Sequence, residues 1–190
     1  MFSLFNFLRA LFIKYKSVIR FILTFLLVYV VLSFSYKLYL QFSGGSKFYP
    51  DYMTLLVAKQ SEVLLDSFGY NTEVLPHPDE PSMKVIVNGQ YLARVVEGCN
   101  AVSVIILFIS FIVAFAGKWK TTFFFILSGS VLIYSVNLLR IVFLTIGLYH
   151  YPKYGDVLHT VIFPAIIYGM VFFLWIFWVN RFSKLKRKHG

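Results

Sequence analysis

Four long apolar runs constrain what this chain can fold into more than any other feature. They cover 18–40, 99–116, 121–148 and 159–179, separated by polar links. A helix needs roughly 20 apolar residues to cross the hydrocarbon core of a bilayer. The chain is 59% hydrophobic and only 14% charged, a composition that excludes an ordinary soluble domain. We therefore predict an α-helical polytopic membrane protein with four transmembrane helices.

The polar stretch 41–97 predicts a small α+β cap outside the bilayer. Its first half has apolar residues that share one helical face and indicate an amphipathic helix: Met53, Leu56, Val57, Leu64 and Phe68. Further along, Asn88-Gly89 separates the runs 83–87 and 90–96, which is a strong signal for a β-hairpin. The membrane core is then expected over 98–180, with its three remaining spans.

The basic residues indicate how the spans are oriented. They are concentrated in a basic interfacial segment at 1–17, in the link 117–120 and in a tail at 181–190, and none of these stretches contains an acid. Positive charge of this kind favours the cytoplasmic side. We expect the cytoplasmic (inner) membrane, with both termini inside and the cap and the loop 149–158 outside. We therefore attribute the net charge of +10 to interaction with the lipid bilayer, and we expect no nucleic-acid partner.

Arg140 is the most unusual residue of the third apolar run. An ionisable side chain within a span is costly and is a candidate functional residue. Roughly 20 residues cross the hydrocarbon core, so a span that begins inside at Thr121 reaches the outer face near Arg140. Cys99 opens the second predicted span and His159 opens the fourth, both on that outer side. The sequence therefore predicts that these three side chains, from three helices, converge outside.

A thiol, a guanidinium and an imidazole together fit nucleophilic catalysis. A thiolate at Cys99 would attack a carbonyl carbon, and a nearby cation favours the thiolate. His159 would serve as general acid and base. Arg140 would stabilise the oxyanion or position the substrate. Taken singly, Cys99 also fits a small buried hydrophobe and His159 an interfacial histidine.

Three further residues are predicted to support this site. Asn137 shares a helical face with Arg140 and fits either a supporting partner or a hydrogen bond between helices. Asp156 lies three residues before His159, so it fits an orienting carboxylate or a helix cap. Glu97 fits a base, a cap of the second span or a partner for Arg94.

Two other classes of protein compete with an enzyme. In the first, Arg140 pairs with an acid on a partner helix, and the chain is a non-catalytic assembly or scaffold subunit; no acid lies in the predicted spans, which keeps this alternative open. In the second, Cys99, His159, His150 and Asp156 bind a metal. These residues lack a compact ligand spacing, and Arg140 would place a cation among them. We expect no metal and no cofactor.

The order of the unusual residues resembles the exosortase/archaeosortase family of membrane-embedded cysteine transpeptidases. The resemblance covers 96–178 and rests on Glu97-Gly98-Cys99-Asn100-Ala101, Asn137-Leu138-Leu139-Arg140-Ile141 and Leu158-His159-Thr160. Many members have about twice as many spans, so this chain resembles a short form. Asn100 stands where relatives often have a small hydroxyl residue or a motif adjacent to glycine.

The resemblance implies a cysteine protease or transpeptidase for protein sorting. By it, Cys99 is the nucleophile, Arg140 the positioning cation and His159 the general acid/base. The implied substrate is an exported protein with a C-terminal sorting signal: a short motif, a transmembrane helix and a basic tail. Cleavage beside the motif would give an acyl-thioester, and the acyl group would pass to an acceptor such as a cell-envelope lipid. The sorting motif does not follow from the resemblance.

Overall fold

The computed structural model describes residues 14–43, 49–115 and 117–182, and most of the predicted interfacial segment and basic tail lie outside these ranges. The principal elements, in chain order, are α1 (Lys16–Ser43), α2 (Tyr52–Ser67), β1 (Thr72–Pro76), β2 (Ser82–Val87), β3 (Gln90–Val96), α3 (Val102–Ala114), α4 (Trp119–His150) and α5 (Phe163–Arg181). The described part of the chain is thus mostly helical, with a small sheet inserted between its first and later membrane helices.

Within the described residues, three helical segments are long and apolar enough to cross a membrane: Lys16–Ser43, Trp119–His150 and Pro152–Arg181. The second predicted span (99–116) is not confirmed, because α3 has only 13 residues. At 1.5 Å per residue it measures about 20 Å, against a hydrocarbon core of about 30 Å. The prediction that Cys99 opens this span is wrong, since α3 begins at Val102.

The helix α4 is much longer than a bilayer requires. Its 32 residues correspond to about 48 Å, so one end must extend beyond a core of about 30 Å. Ile141 and Val142 of α4 belong to the same buried cluster as Val57 and Leu65 of α2 and the core residues of the sheet. The carboxyl-terminal part of α4 therefore forms part of the core of the cap and joins the cap to the membrane helices.

A second buried cluster holds α3, α4 and α5 together. It contains Phe108 and Ile112 from α3, Ile133 from α4, and Val171 and Trp178 from α5. The short helix α3 is enclosed by its neighbours, since α1 also packs along it. The membrane part is therefore a helix bundle with α3 inside it.

The cap contains a three-stranded antiparallel sheet in the order β1-β2-β3. The hairpin is confirmed: β2 and β3 pair around Asn88 and Gly89, whose φ angles of 51° and 79° are those of a type I′ turn. The first strand, β1, was not predicted. The helix α2 is confirmed, but its most buried stripe differs from the predicted face, because Phe68 follows the helix and is 55% exposed. That stripe comprises Thr54, Val57, Ala58, Ser61 and Leu65.

The predicted loop 149–158 is largely helical. α4 continues to His150, and after Tyr151 the chain forms a 3₁₀ turn (Pro152–Tyr154), a single α turn (Gly155–Val157) and a π-helical turn (Leu158–Ile162) that leads into α5. Proline suits the first turn of a helix, because a backbone N–H at that position would have no partner within the helix. The prediction that His159 opens the fourth span is therefore wrong, because His159 lies in the π-helical turn, inside a longer helical segment.

Candidate active site

A cavity of about 330 Å³ lies between the sheet, α4 and the segment that precedes α5. Cys99, Arg140 and His159, the three predicted catalytic residues, all line it, together with Asp156. The rest of the wall comes from β3, from the carboxyl-terminal part of α4 and from the turns after it: Leu92, Ala93, Arg94, Val95, Ile141, Leu144, Thr145, Leu148, Pro152 and Gly155. The structure thus brings together three reactive side chains that are 41 and 19 positions apart in the sequence.

A tight turn places Cys99 in this cavity. Cys99 ends a 3₁₀ turn that begins at Glu97, and the N–H of Asn100 donates to the carbonyl oxygen of Glu97 at 3.2 Å. Ala101 then has a φ angle of 66°, in the left-handed region, before α3 begins at Val102. Non-glycine residues seldom adopt this conformation, and such residues cluster at functional sites. The thiol is half-buried and open to the cavity.

Asn100 holds this turn in place, a role that the sequence analysis missed. Its Nδ2 donates to the hydroxyl of Tyr36 in α1 at 2.7 Å and to Oγ1 of Thr54 in α2 at 3.2 Å, while its Oδ1 accepts from the N–H of Val102 at 3.0 Å. The side chain is buried, with 1% of its surface exposed. The preference of asparagine for helix N-termini is the signal that could have indicated this role.

Asn137 contacts the residue that carries the thiol. Its Nδ2 donates to the backbone carbonyl oxygen of Cys99 at 2.6 Å, and the side chain is only 2% exposed. Asn137 and Arg140 lie one turn apart on α4. The amide therefore links the turn of Cys99 directly to the helix that presents Arg140.

Arg140 presents a cation to the cavity. Among the described residues, no carboxylate lies within 4.0 Å of its guanidinium and no hydrogen bond involves it. Asp156 lines the same cavity without forming an ion pair with it. A half-buried guanidinium cannot lose its charge, so it favours an anion or a developing oxyanion beside it.

His159 faces the cavity from the π-helical turn and remains largely exposed. Over the described ranges, its ring forms no hydrogen bond with either the Cys99 thiol or the Asp156 carboxylate. The backbone oxygen of Asp156 instead accepts from Oγ1 of Thr160 at 2.5 Å. Catalytic hydrogen bonds are often long before substrate binds, and π-helical turns are frequent at functional sites.

Glycine brings the His159 segment close to α4. Gly155 is buried, and a Cβ added to it would lie 2.5 Å from Cδ2 of Leu148. A Cβ on Gly147 would likewise lie 3.0 Å from Cδ1 of Leu158. These two close approaches place the segment before His159 directly against α4.

Glu97 does not line this cavity. It lines a separate groove of about 560 Å³ between α1 and α3, together with Lys37 and Tyr36. The predicted partnership with Arg94 is wrong, because Arg94 pairs with Glu80. The turn 97–99 therefore separates Glu97 from the thiol, which argues against Glu97 as a base for Cys99.

His150 also lies away from the cavity lining, and its Nε2 is 2.8 Å from the hydroxyl of Tyr70. The metal alternative required His150 beside Cys99, His159 and Asp156. Within the part of the chain that the structure describes, no group of three or more metal-ligating side chains is placed to hold an ion.

The cavity itself offers a nucleophile, a fixed cation and a group that can carry a proton, the set that acyl transfer requires.

Comparison with models of known protein families identifies a match. The family model described as transmembrane exosortase matches residues 3–180. No curated protein and no solved structure matches the chain.

Proposed function

The chain belongs to the transmembrane exosortase family, and from that membership we propose that it is a membrane-embedded cysteine transpeptidase that cleaves the C-terminal sorting signals of exported proteins. Membership supports a membrane transpeptidase at the level of the family. The assignment of roles to residues rests on one observation of this chain: Cys99, Arg140 and His159 line a single cavity.

In the first half of the proposed reaction, His159 takes the proton of the Cys99 thiol, and the thiolate attacks the scissile carbonyl carbon. A carbon–sulfur bond forms, and the carbonyl oxygen becomes an oxyanion beside Arg140. The carbon–nitrogen bond then breaks, and the leaving amine takes the proton from His159. The upstream part of the substrate remains on Cys99 as an acyl-thioester, while the downstream helix and tail leave.

In the second half, an acceptor resolves the thioester. An amine, a hydroxyl or water gives its proton to His159 and attacks the acyl carbon, again forming an oxyanion beside Arg140. The carbon–sulfur bond breaks, and Cys99 recovers the proton. A lipid-linked acceptor fits this step, because the site borders the membrane helices and such an acceptor would be anchored in the same bilayer.

The charge distribution supports a cavity on the extracytoplasmic side of the cytoplasmic membrane. The ring centroid of Phe21, near the start of α1, lies 4.4 Å from that of Phe115 at the end of α3, and a Cβ on Gly117 would touch Trp178 near the end of α5. The basic ends of these helices therefore lie together. All eight acids fall in 51–97 or at Asp156, toward the cap. Positive charge favours the cytoplasm, which leaves the cap and the cavity outside.

The decisive experiment compares Cys99→Ala with the unchanged protein in cells that lack the chromosomal copy. We expect that exported proteins ending in a motif, an apolar helix and a basic tail are cut beside the motif only when Cys99 is present. Mass spectrometry of protein C-termini measures this cleavage. A hydroxylamine-sensitive adduct on Cys99 would identify the acyl-enzyme and the residue beside the cut. Equal processing with Cys99→Ala would refute the proposal.

The same experiment tests the scaffold alternative. A scaffold that uses Arg140 to pair with a partner helix should tolerate Cys99→Ala, because alanine preserves packing. The placement of Arg140 argues for the enzyme: its side chain lines the cavity shared with Cys99 and His159, where a small substrate group can reach it.

A further inference from the structure

The strand β3 ends the sheet on the side of the candidate active site. In the order β1-β2-β3, it pairs with β2 on one side only. Over the described ranges, no hydrogen bond from outside the sheet reaches the backbone of residues 91–95. The unpaired edge of a strand presents N–H and C=O groups that can bind another extended chain.

This edge opens into the cavity. Four consecutive residues of β3 line it: Leu92, Ala93, Arg94 and Val95. Side chains of successive residues in a strand point to opposite faces of the sheet. Arg94 belongs to one face, while Ala93 and Val95 belong to the other, so the cavity extends along the edge of the strand as well as over one face.

The cavity leads from this edge to the thiol. Beyond Val96, the chain passes directly into the turn 97–99, so Cys99 lies just past the end of β3. Across the cavity, α4 contributes the apolar side chains of Ile141, Leu144 and Leu148. The cavity thus has a peptide edge on one side and an apolar wall on the other.

We propose that the free edge of β3 binds the substrate backbone upstream of the scissile bond as an added strand. This inference rests on the proposed function, which delivers the acyl side of the substrate to Cys99. β3 runs toward Cys99, and the substrate chain also runs toward its scissile bond, so the added strand is parallel to β3. Main-chain hydrogen bonds supply the affinity, and pockets for alternate side chains supply the selectivity.

The hairpin indicates which peptide groups are available. Because the hairpin turn has two residues, Val87 and Gln90 form a hydrogen-bonded pair. Farther along β2, non-hydrogen-bonded and hydrogen-bonded pairs then alternate. Lys84 lies three residues before Val87, so it forms a non-hydrogen-bonded pair with Arg94, which is opposite it. We therefore expect the N–H and C=O of Arg94 to point away from β2. The register shifts between Val85 and Ile86, which marks a bulge at Leu92. Bulges are common beside active sites, where they redirect an edge.

A tethered peptide tests the proposal without requiring turnover. Cys99 is the only cysteine, so a disulfide can attach a synthetic decapeptide of alternating Thr and Val, with a C-terminal cysteamine, to the full-length protein in lipid nanodiscs. Three versions are compared: unmethylated, N-methylated at odd positions and N-methylated at even positions. Hydrogen–deuterium exchange of the fragment that contains β3 is the measurement.

We expect the unmethylated peptide to slow exchange in β3 by about tenfold or more, since several hydrogen bonds protect the edge. One methylated version should lose this protection and the other should retain it, because only alternate N–H groups of an added strand face β3. No slowing with the unmethylated peptide, or equal behaviour of the two methylated versions, would overturn the proposal. Neither result depends on catalysis, so failure here is distinct from failure of Cys99-dependent processing.

Discussion

The side-chain amide of Asn137 donates a 2.6 Å hydrogen bond to the backbone carbonyl oxygen of Cys99. This bond joins the turn that presents the thiol to the helix that presents Arg140, one turn farther along. The buried amide of Asn137 thus connects the Cys99 thiol to the Arg140 cation without lining the cavity itself. We therefore expect Asn137 to act as a positioning residue.

Replacing Asn137 with alanine should lower kcat more than it raises KM. A shift of about 1 Å in the thiol can cost about 100-fold in rate, and the unpaired carbonyl oxygen should cost about 1–3 kcal/mol of stability. Processing kinetics and the rate of Cys99 alkylation, measured across pH, check the first effect. Thermal unfolding checks the second.

Ser135→Ala is the matched control for that variant. Ser135 is exposed two residues earlier on α4, and among the described residues its hydroxyl donates only to the carbonyl oxygen of Val131 in the same helix. It should leave processing and alkylation unchanged. If Asn137→Ala retained the alkylation profile and kcat of the unchanged protein, the hydrogen bond would have no part in positioning Cys99.

Arg140→Lys should abolish most activity although the positive charge remains. A lysine ammonium lacks the planar fork of the guanidinium, and loss of one oxyanion donor typically costs about 10²–10³ in kcat. Single-turnover cleavage measures this loss. Arg20→Lys, on an exposed part of α1 at the opposite end of the bundle, is the control. Near-normal turnover by Arg140→Lys would remove Arg140 from the chemistry.

The apolar periodicity and the unusual residues were enough to predict much of this architecture. The long helices α1 and α4 and the turn at Asn88-Gly89 follow from local physics, namely the length of an apolar run and a dipeptide that accepts positive φ angles. The meeting of Cys99, Arg140 and His159 followed from counting residues across a bilayer. Each of these inferences uses only nearby sequence or one fixed length.

The remaining features depend on contacts between distant segments. Asn100, just before α3, bonds to Tyr36 and Thr54, and no local pattern indicates those partners. Glu97 points into a different groove because the 3₁₀ turn separates it from Cys99. The contribution of β3 to the cavity wall likewise requires knowing which edge of the sheet faces α4.

Gly129→Ala should destabilise the bundle, because an added Cβ would clash with the ring of Phe108. Phe108 is fully buried and cannot move aside freely, so a cost of about 1–3 kcal/mol is expected for overpacking. Thermal unfolding in detergent is the measurement. Gly169→Ala in α5 is the control: nothing lies within 4 Å of its added Cβ, and alanine should raise stability by about 0.5–1 kcal/mol. Equal melting temperatures for the two variants would refute close packing at Gly129.

His159→Gln should slow cleavage of an amide substrate more than that of the corresponding thioester. An amine must be protonated to leave, whereas a thiolate can leave without a proton, so the general acid matters most for the amide. We expect about 10²–10⁴-fold loss on the amide and a smaller loss on the thioester, where only activation of Cys99 is impaired. The amide and the thioester substrates are synthesised with a sequence that is processed in cells, and their acylation rates measure this difference. His150→Gln is the matched histidine control, because His150 contacts Tyr70 away from the cavity lining, and it should preserve both rates. Equal losses on the two substrates would assign His159 a role in shaping the site and not in proton transfer to the leaving group.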